Sequence, residues 1–216
     1  MKILSLFTAS VGVLLLAGCE FDVGTKGSGH IVTTQQPVEA FSEIEGRGGF
    51  RIEWKSGPPS LSLTTDDNLV ELFEARNVGN RLVLRMRNRA RPTHGIRITL
   101  SSQSLTGAKL SGATDLLAHG VSGPSFAVQT TGAASIVLDG TVDQLLADLT
   151  GASDLKAKDL KTKVAEISTT GAANAWVNAS EKLRVAVTGA GDVTYSGNPA
   201  TIEKKVTGAG TIHHKD

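Results

Sequence analysis

Leu149-Thr150-Gly151-Ala152-Ser153-Asp154-Leu155 is one of six copies of a single phrase. The other copies centre on Gly112, Gly132, Gly171, Gly189 and Gly208, so successive glycines are 20, 19, 20, 18 and 19 residues apart. The residue before the glycine is Ser111 or a threonine, and the residue after it is always alanine (Ala113, Ala133, Ala152, Ala172, Ala190, Ala209). Three places after the glycine stands a small polar group: Asp115, Ser135, Asp154, Asn174, Asp192 or Thr211. Four places after it comes Leu116, Ile136, Leu155, Ala175, Val193 or Ile212. Two places before it the chain is aliphatic, except at Thr130 and Thr169.

A fixed period of this length indicates an array of stacked units. Helical repeats are longer, and β-branched residues and glycine disfavour helix here. Runs such as Leu183-Arg184-Val185-Ala186-Val187 alternate as half-buried strands do. At roughly 3.3 Å per residue one period makes a perimeter of about 60 Å, a narrow tube that side chains alone can fill. Like residues stack on like when successive coils run parallel, in register, about 4.8 Å apart. In that picture the glycines permit a tight corner, the alanines point inward at it, and the Ser/Thr and Asp/Asn columns cap the turns. The reading is an all-β fold: a parallel β-helix, or solenoid, of six to seven short coils. The rival is a membrane barrel of hairpins turning at Asp139-Gly140 and Ser196-Gly197-Asn198. Such a barrel needs aromatic girdles, and nine aromatics in 216 residues, six of them before the first copy, do not supply them.

Outside the repeats the chain divides further. Met1–Gly18 reads as a signal peptide: Lys2, then an apolar run too short to span a bilayer comfortably. It ends in Leu16-Ala17-Gly18-Cys19, which resembles the lipobox of bacterial lipoproteins. That resemblance implies cleavage before Cys19 and lipid attachment there, and Cys19 is the single cysteine of the chain. Committing it to lipid leaves no disulfide, so stability rests on backbone hydrogen bonds and aliphatic burial. Removing Lys2 from 22 basic residues leaves 21 against 21 acidic ones, a formally neutral protein with no general pull toward nucleic acid. Glu20 rather than aspartate follows the cysteine, which favours the outer membrane of a Gram-negative envelope.

Residues 19–37 read as a lipidated tether and first strand, with Gly27-Ser28-Gly29-His30-Ile31 as a degenerate copy of the phrase. Residues 38–104 form a more irregular β region or cap, with strands near 38–45, 49–55, 60–65 and 96–100 and a hairpin turning at Gly79-Asn80. A solenoid needs such a cap because its last coil otherwise bares a strand edge. Residues 105–216 are the repeat solenoid, closed thinly by Ile212-His213-His214-Lys215-Asp216, an edge through which copies could associate.

Phe41-Ser42-Glu43-Ile44 leads into Gly49-Phe50-Arg51-Ile52, then Asp67-Asn68-Leu69, then the Gly-Ala phrases, ending in Gly189-Ala190-Gly191-Asp192-Val193-Thr194-Tyr195-Ser196-Gly197-Asn198-Pro199. Over about residues 38–212 this resembles the bacterial auto-transporter adhesin, head GIN domain family. The resemblance implies an exported protein, often lipobox-bearing, with adhesion as a label by analogy. It implies no catalytic residues.

Candidate sites are few. Asp115, Asp154 and Asp192 share one column on alternate coils, about 10 Å apart, too far for a shared metal or an acid–base pair. Arg85, Arg87, Arg89 and Arg91 alternate, so all four face one way if their strand continues, a comb suited to anionic polysaccharide, lipid phosphate or an acidic partner. Trp176 falls in a mixed column with Leu117, Val137, Lys156, Thr194 and His213, which points outward and could stack on a sugar. Tyr195, one column on, belongs to the core. The histidines are scattered, and no metal, cofactor or nucleotide signature is present. These features describe a non-catalytic, lipid-anchored structural or adhesive module of the cell envelope. Its expected partners are the membrane through its lipid and an envelope polysaccharide or protein. The alternatives are a polysaccharide- or glycolipid-binding protein and, further off, a β-helical polysaccharide-acting enzyme, which would carry larger coils and long loops.

Overall fold

The corner determines the architecture. In the computed structural model, which describes residues 24–215, each repeat alanine donates its N–H to the glycine carbonyl of the coil beneath. Ala133 reaches Gly112 at 2.9 Å, Ala152 reaches Gly132 at 2.8 Å and Ala172 reaches Gly151 at 2.9 Å. Gly112, Gly132, Gly151, Gly171, Gly189 and Gly208 are register partners in turn, and every pairing is parallel. The fold is therefore a parallel β-solenoid. Passing through Gly107, Ala127, Leu146, Glu166, Arg184 and Glu203, the chain makes five full circuits, slightly fewer than the six to seven expected. Met1 to Val23, including Cys19, and Asp216 lie outside the described residues.

Two further rungs come from the region before the repeats, out of chain order. Glu43–Gly48 lies between Arg81–Met86 and Gly107–Gly112, parallel to both. Phe50–Ser56 lies between Ile96–Ser102 and the strand opening at Asp115. The rung made later in sequence is thus the outer one. Antiparallel strands then cover it: Phe73–Val78 on Arg81–Met86, Ser60–Asp66 on Ile96–Ser102, and Ile31–Gln36 on Ser60–Asp66. Irregular coils and an antiparallel cap are both present. The seventh corner glycine is Gly48, register partner of Gly112. The Gly27-Ser28-Gly29 segment, expected as a degenerate copy, lies outside the column and wraps the cap instead.

The interior corrects one expectation. The repeat alanines stack, but they face solvent. The residue after each alanine turns inward instead: Thr114, Ala134, Ser153 and Ala173 are buried, as is Gly191. All are small because the corner leaves little room. Beyond them run aliphatic columns such as Ile52, Leu116, Ile136, Leu155, Ala175 and Val193. A neighbouring column mixes large and small: Trp54, Ala118, Leu138, Ala157, Val177, Tyr195. Trp54 is tolerated in the core because its indole N–H donates to Ser102 Oγ at 2.9 Å, satisfying a buried polar atom. Tyr195 is core, as its column required.

A buried carboxylate latches the cap. Asp66 accepts from Gly29 N at 2.8 Å, Thr93 N at 2.9 Å and Thr93 Oγ1 at 2.6 Å. The Thr93 hydroxyl leads in holding its pKa below the usual carboxylate range. The Arg85 hydrogen bond leads in doing the same for Glu74, and Arg184 does so for Glu203. A group whose folded pKa is depressed stabilises the fold above its unfolded pKa, and that stability is lost as pH falls through the folded value. Thermal stability is therefore expected to be flat near neutrality and to fall below about pH 4. Asp66→Asn should lower the melting temperature at pH 7 and shrink the acid-dependent loss, measured by circular dichroism melts at pH 7 and pH 3.

Candidate functional site

The outward faces carry whatever this rod does, and most of their polar groups are occupied. In the Asp/Asn column, Asn174 Nδ2 donates to Asp154 Oδ1 at 3.0 Å and Asn174 Oδ1 accepts from Asp192 N at 3.0 Å. Asp192 Oδ1 in turn accepts Thr211 N at 3.0 Å and also the Thr211 hydroxyl. These side chains tie each coil to the next. Among the described residues no group of three or more His, Cys, Asp or Glu side chains is placed to hold a metal.

The arginine strand ends at Met86, so the condition for a four-arginine comb fails. Arg87 N closes the hairpin on Leu72 O at 2.8 Å, and the chain then turns. Arg85 and Arg87 grip opposite oxygens of Glu74, at 2.7 Å and 2.9 Å. Arg89 and Arg91 lie beyond, where their carbonyls accept Thr25 N and Gly27 N. Neighbouring strands bring Arg47 and Arg76 beside Arg81 and Arg85, around a hollow of about 340 Å³ that also holds Glu45. Arg81 binds Glu43 at 2.8 Å and Glu45 at 3.3 Å, and Arg47 binds Glu45 at 2.5 Å. Arg76 has no acidic partner among the described residues. Trp176 is half-buried on a second face, in register between Lys156 and Thr194.

That second face holds a polar grouping that reading the sequence missed. Arg51 and Arg97 are direct register partners, and Arg51 reaches Asp115 at 3.7 Å. A hollow of about 340 Å³ beside them is lined by Glu53, Leu117 and Val137. The available signal was a second, shorter repeat: Gly49-Phe50-Arg51-Ile52 and Gly95-Ile96-Arg97-Ile98. Spacing along the chain obscured this, because Arg51 and Arg97 are far apart in sequence and meet only as register partners.

Comparison with known proteins agrees with the fold. Residues 40–199 match the family described as "Putative auto-transporter adhesin, head GIN domain", and the chain belongs to it. A crystal structure of a putative adhesin from Bacteroides fragilis superposes with a TM-score of 0.71 at 22% identity, covering 88% of this chain and 99% of that one. A putative lipid binding protein from Parabacteroides distasonis gives 0.52 at 20% identity, covering 88% and 99%. A putative adhesin from Parabacteroides merdae gives 0.50 at 18%, covering 89% and 99%. At these identities the likeness is one of fold. No curated protein matches the sequence. The chain is an adhesin-like β-solenoid, of a family that suggests an extracellular or envelope-associated setting.

Proposed function

We propose that this protein is a non-catalytic module of the cell envelope, anchored through lipid on Cys19, that presents a rigid rod for adhesive contact. One observation carries the reading: many of the outward polar residues are spent on the rod itself. The Asp/Asn column joins coil to coil, and most of the arginines beside Arg85 are engaged by Glu43, Glu45 and Glu74. Glu53 and Asp115 share a hollow with Arg51 and Arg97. Neither carboxylate is buried, so neither sits in the closed, water-excluded setting that a catalytic site provides. The expected partners are an envelope polysaccharide or protein.

The anchor follows from the Leu-Ala-Gly-Cys sequence at residues 16–19. Among the described residues no helix is long and apolar enough to cross a membrane. Several acyl chains hold a protein stably where one is marginal. Cys19→Ser is therefore expected to move the protein from the membrane pellet to the soluble fraction on cell fractionation. A Cys19→Ser protein that stays in the pellet after a carbonate wash would sink the anchor.

A further inference from the structure

We infer that the groove around Arg51 and Arg97 on the second face binds an acidic sugar, with the two guanidinium groups gripping a uronate carboxylate. Arg51 and Arg97 occupy directly opposed positions on adjacent parallel strands, about 4.8 Å apart along the stack. Like charges placed so are unfavourable unless an anion lies between them. The protein supplies little: Asp115 is 3.7 Å from Arg51, and both side chains are largely in water, 48% and 67% exposed. Such a pair is worth little. Arg97 has no acidic partner among the described residues. Two forks of donors side by side suit the two oxygens of a carboxylate.

The floor and far wall point to a sugar rather than a bare anion. Leu117 and Val137, half-buried, line the adjoining hollow of about 340 Å³. They offer an apolar surface for a ring face, while Glu53 and Asp115 accept hydroxyl protons. Those same carboxylates disfavour a polyphosphate, charged at every phosphate, more than a uronate chain, whose charges lie a full sugar apart. A second hollow of about 210 Å³, lined by Phe50, His94 and Ala113, opens on the other side of the arginines. Upward along the stack, the column of Leu117 and Val137 continues to Lys156 and Trp176. A longer chain laid on this column meets a cation for a second carboxylate and then an aromatic platform.

The inference rests on the contact-module reading, which the anchoring experiment tests separately: binding that survives in the Cys19→Ser protein distinguishes the two. The probe is an oligogalacturonate titrated calorimetrically into the full chain in detergent. A neutral maltooligosaccharide of equal length and inorganic polyphosphate are the comparison arms. The expected result is saturable binding of oligogalacturonate, no binding of the neutral oligomer, and weaker binding of polyphosphate. Arg51→Ser with Arg97→Ser should weaken oligogalacturonate binding about tenfold or more, the loss of one bidentate carboxylate contact. Arg85→Ser with Arg87→Ser should leave it unchanged. Trp176→Ala should weaken long oligomers and spare short ones. Arg51→Lys with Arg97→Lys keeps the charge and loses the fork, and should weaken binding by an intermediate amount. Unchanged affinity in both double variants of Arg51 and Arg97, equal binding of the neutral oligomer, or tighter binding of polyphosphate would overturn the assignment.

Discussion

Gly151→Ala is expected to destabilise the protein by about 2–5 kcal/mol, the sum of an overpacking cost and a backbone cost. Gly151 has φ +107°, and a Cβ there would sit 2.3 Å from the carbonyl oxygen of Gly132. That oxygen also accepts the N–H of Ala152, so the coil below cannot move away without breaking the corner. A domain stable by about 5–15 kcal/mol loses a large share of that margin. Two comparisons separate the causes. Gly120 also has positive φ, +67°, but nothing lies within 4 Å of a Cβ built on it. Gly120→Asn should therefore cost about 1 kcal/mol or less, since asparagine tolerates that backbone region. Ala152→Ser, at the exposed neighbouring position, should stay within about 0.5 kcal/mol. Urea unfolding of the three variants measures this, and a Gly151→Ala protein as stable as wild type would refute the close-approach argument.

What the sequence made legible follows from that corner. A residue held by the backbone of the coil below must recur at every coil, so the glycine column was visible as a period. The Asp/Asn column was visible for a related reason, because Asn174 and Asp192 each accept a backbone N–H of the next coil. The inward corner residue was less so. Thr114, Ala134, Ser153 and Ala173 obey a rule of size rather than identity, and the invariant alanine beside them drew the eye to the wrong position. Gly48 escaped because its neighbours are Gly49 and Phe50 in place of alanine and a small residue. The arginine groove escaped for a topological reason. Local alternation shows which residues share a strand face, but not which strands become neighbours. Arg51 and Arg97 meet only because the rung from Arg81 to Ser102 folds back beneath Glu43–Ser56. Nothing in either strand announces that inversion.

Lys204→Val is expected to increase end-to-end association of the protein. The inward column Ile44, Ala108, Val128, Ala147, Ile167, Val185 ends in Lys204. Its ammonium lies 4.6 Å above the Tyr195 ring and 3.1 Å from the Tyr195 hydroxyl, charging what is otherwise the open end of an apolar core. Ile202 and Val206 flank it at 43% and 44% exposure. Among the described residues no strand pairs with the outer edge of Thr201–Gly208. An inward-pointing charge on an edge strand opposes pairing with another chain, because pairing would strip its water. Valine removes that penalty and joins Ile202 to Val206 in one apolar strip beside unpaired backbone donors and acceptors. Sedimentation velocity should then show a concentration-dependent rise to dimers and larger species, beyond that of wild type at the same concentration. Lys205→Val changes the same charge on the outward face, in the column of Ala186, and should not produce it. If both variants associate equally, surface hydrophobicity alone is the cause. If neither does, the edge is guarded by something other than Lys204.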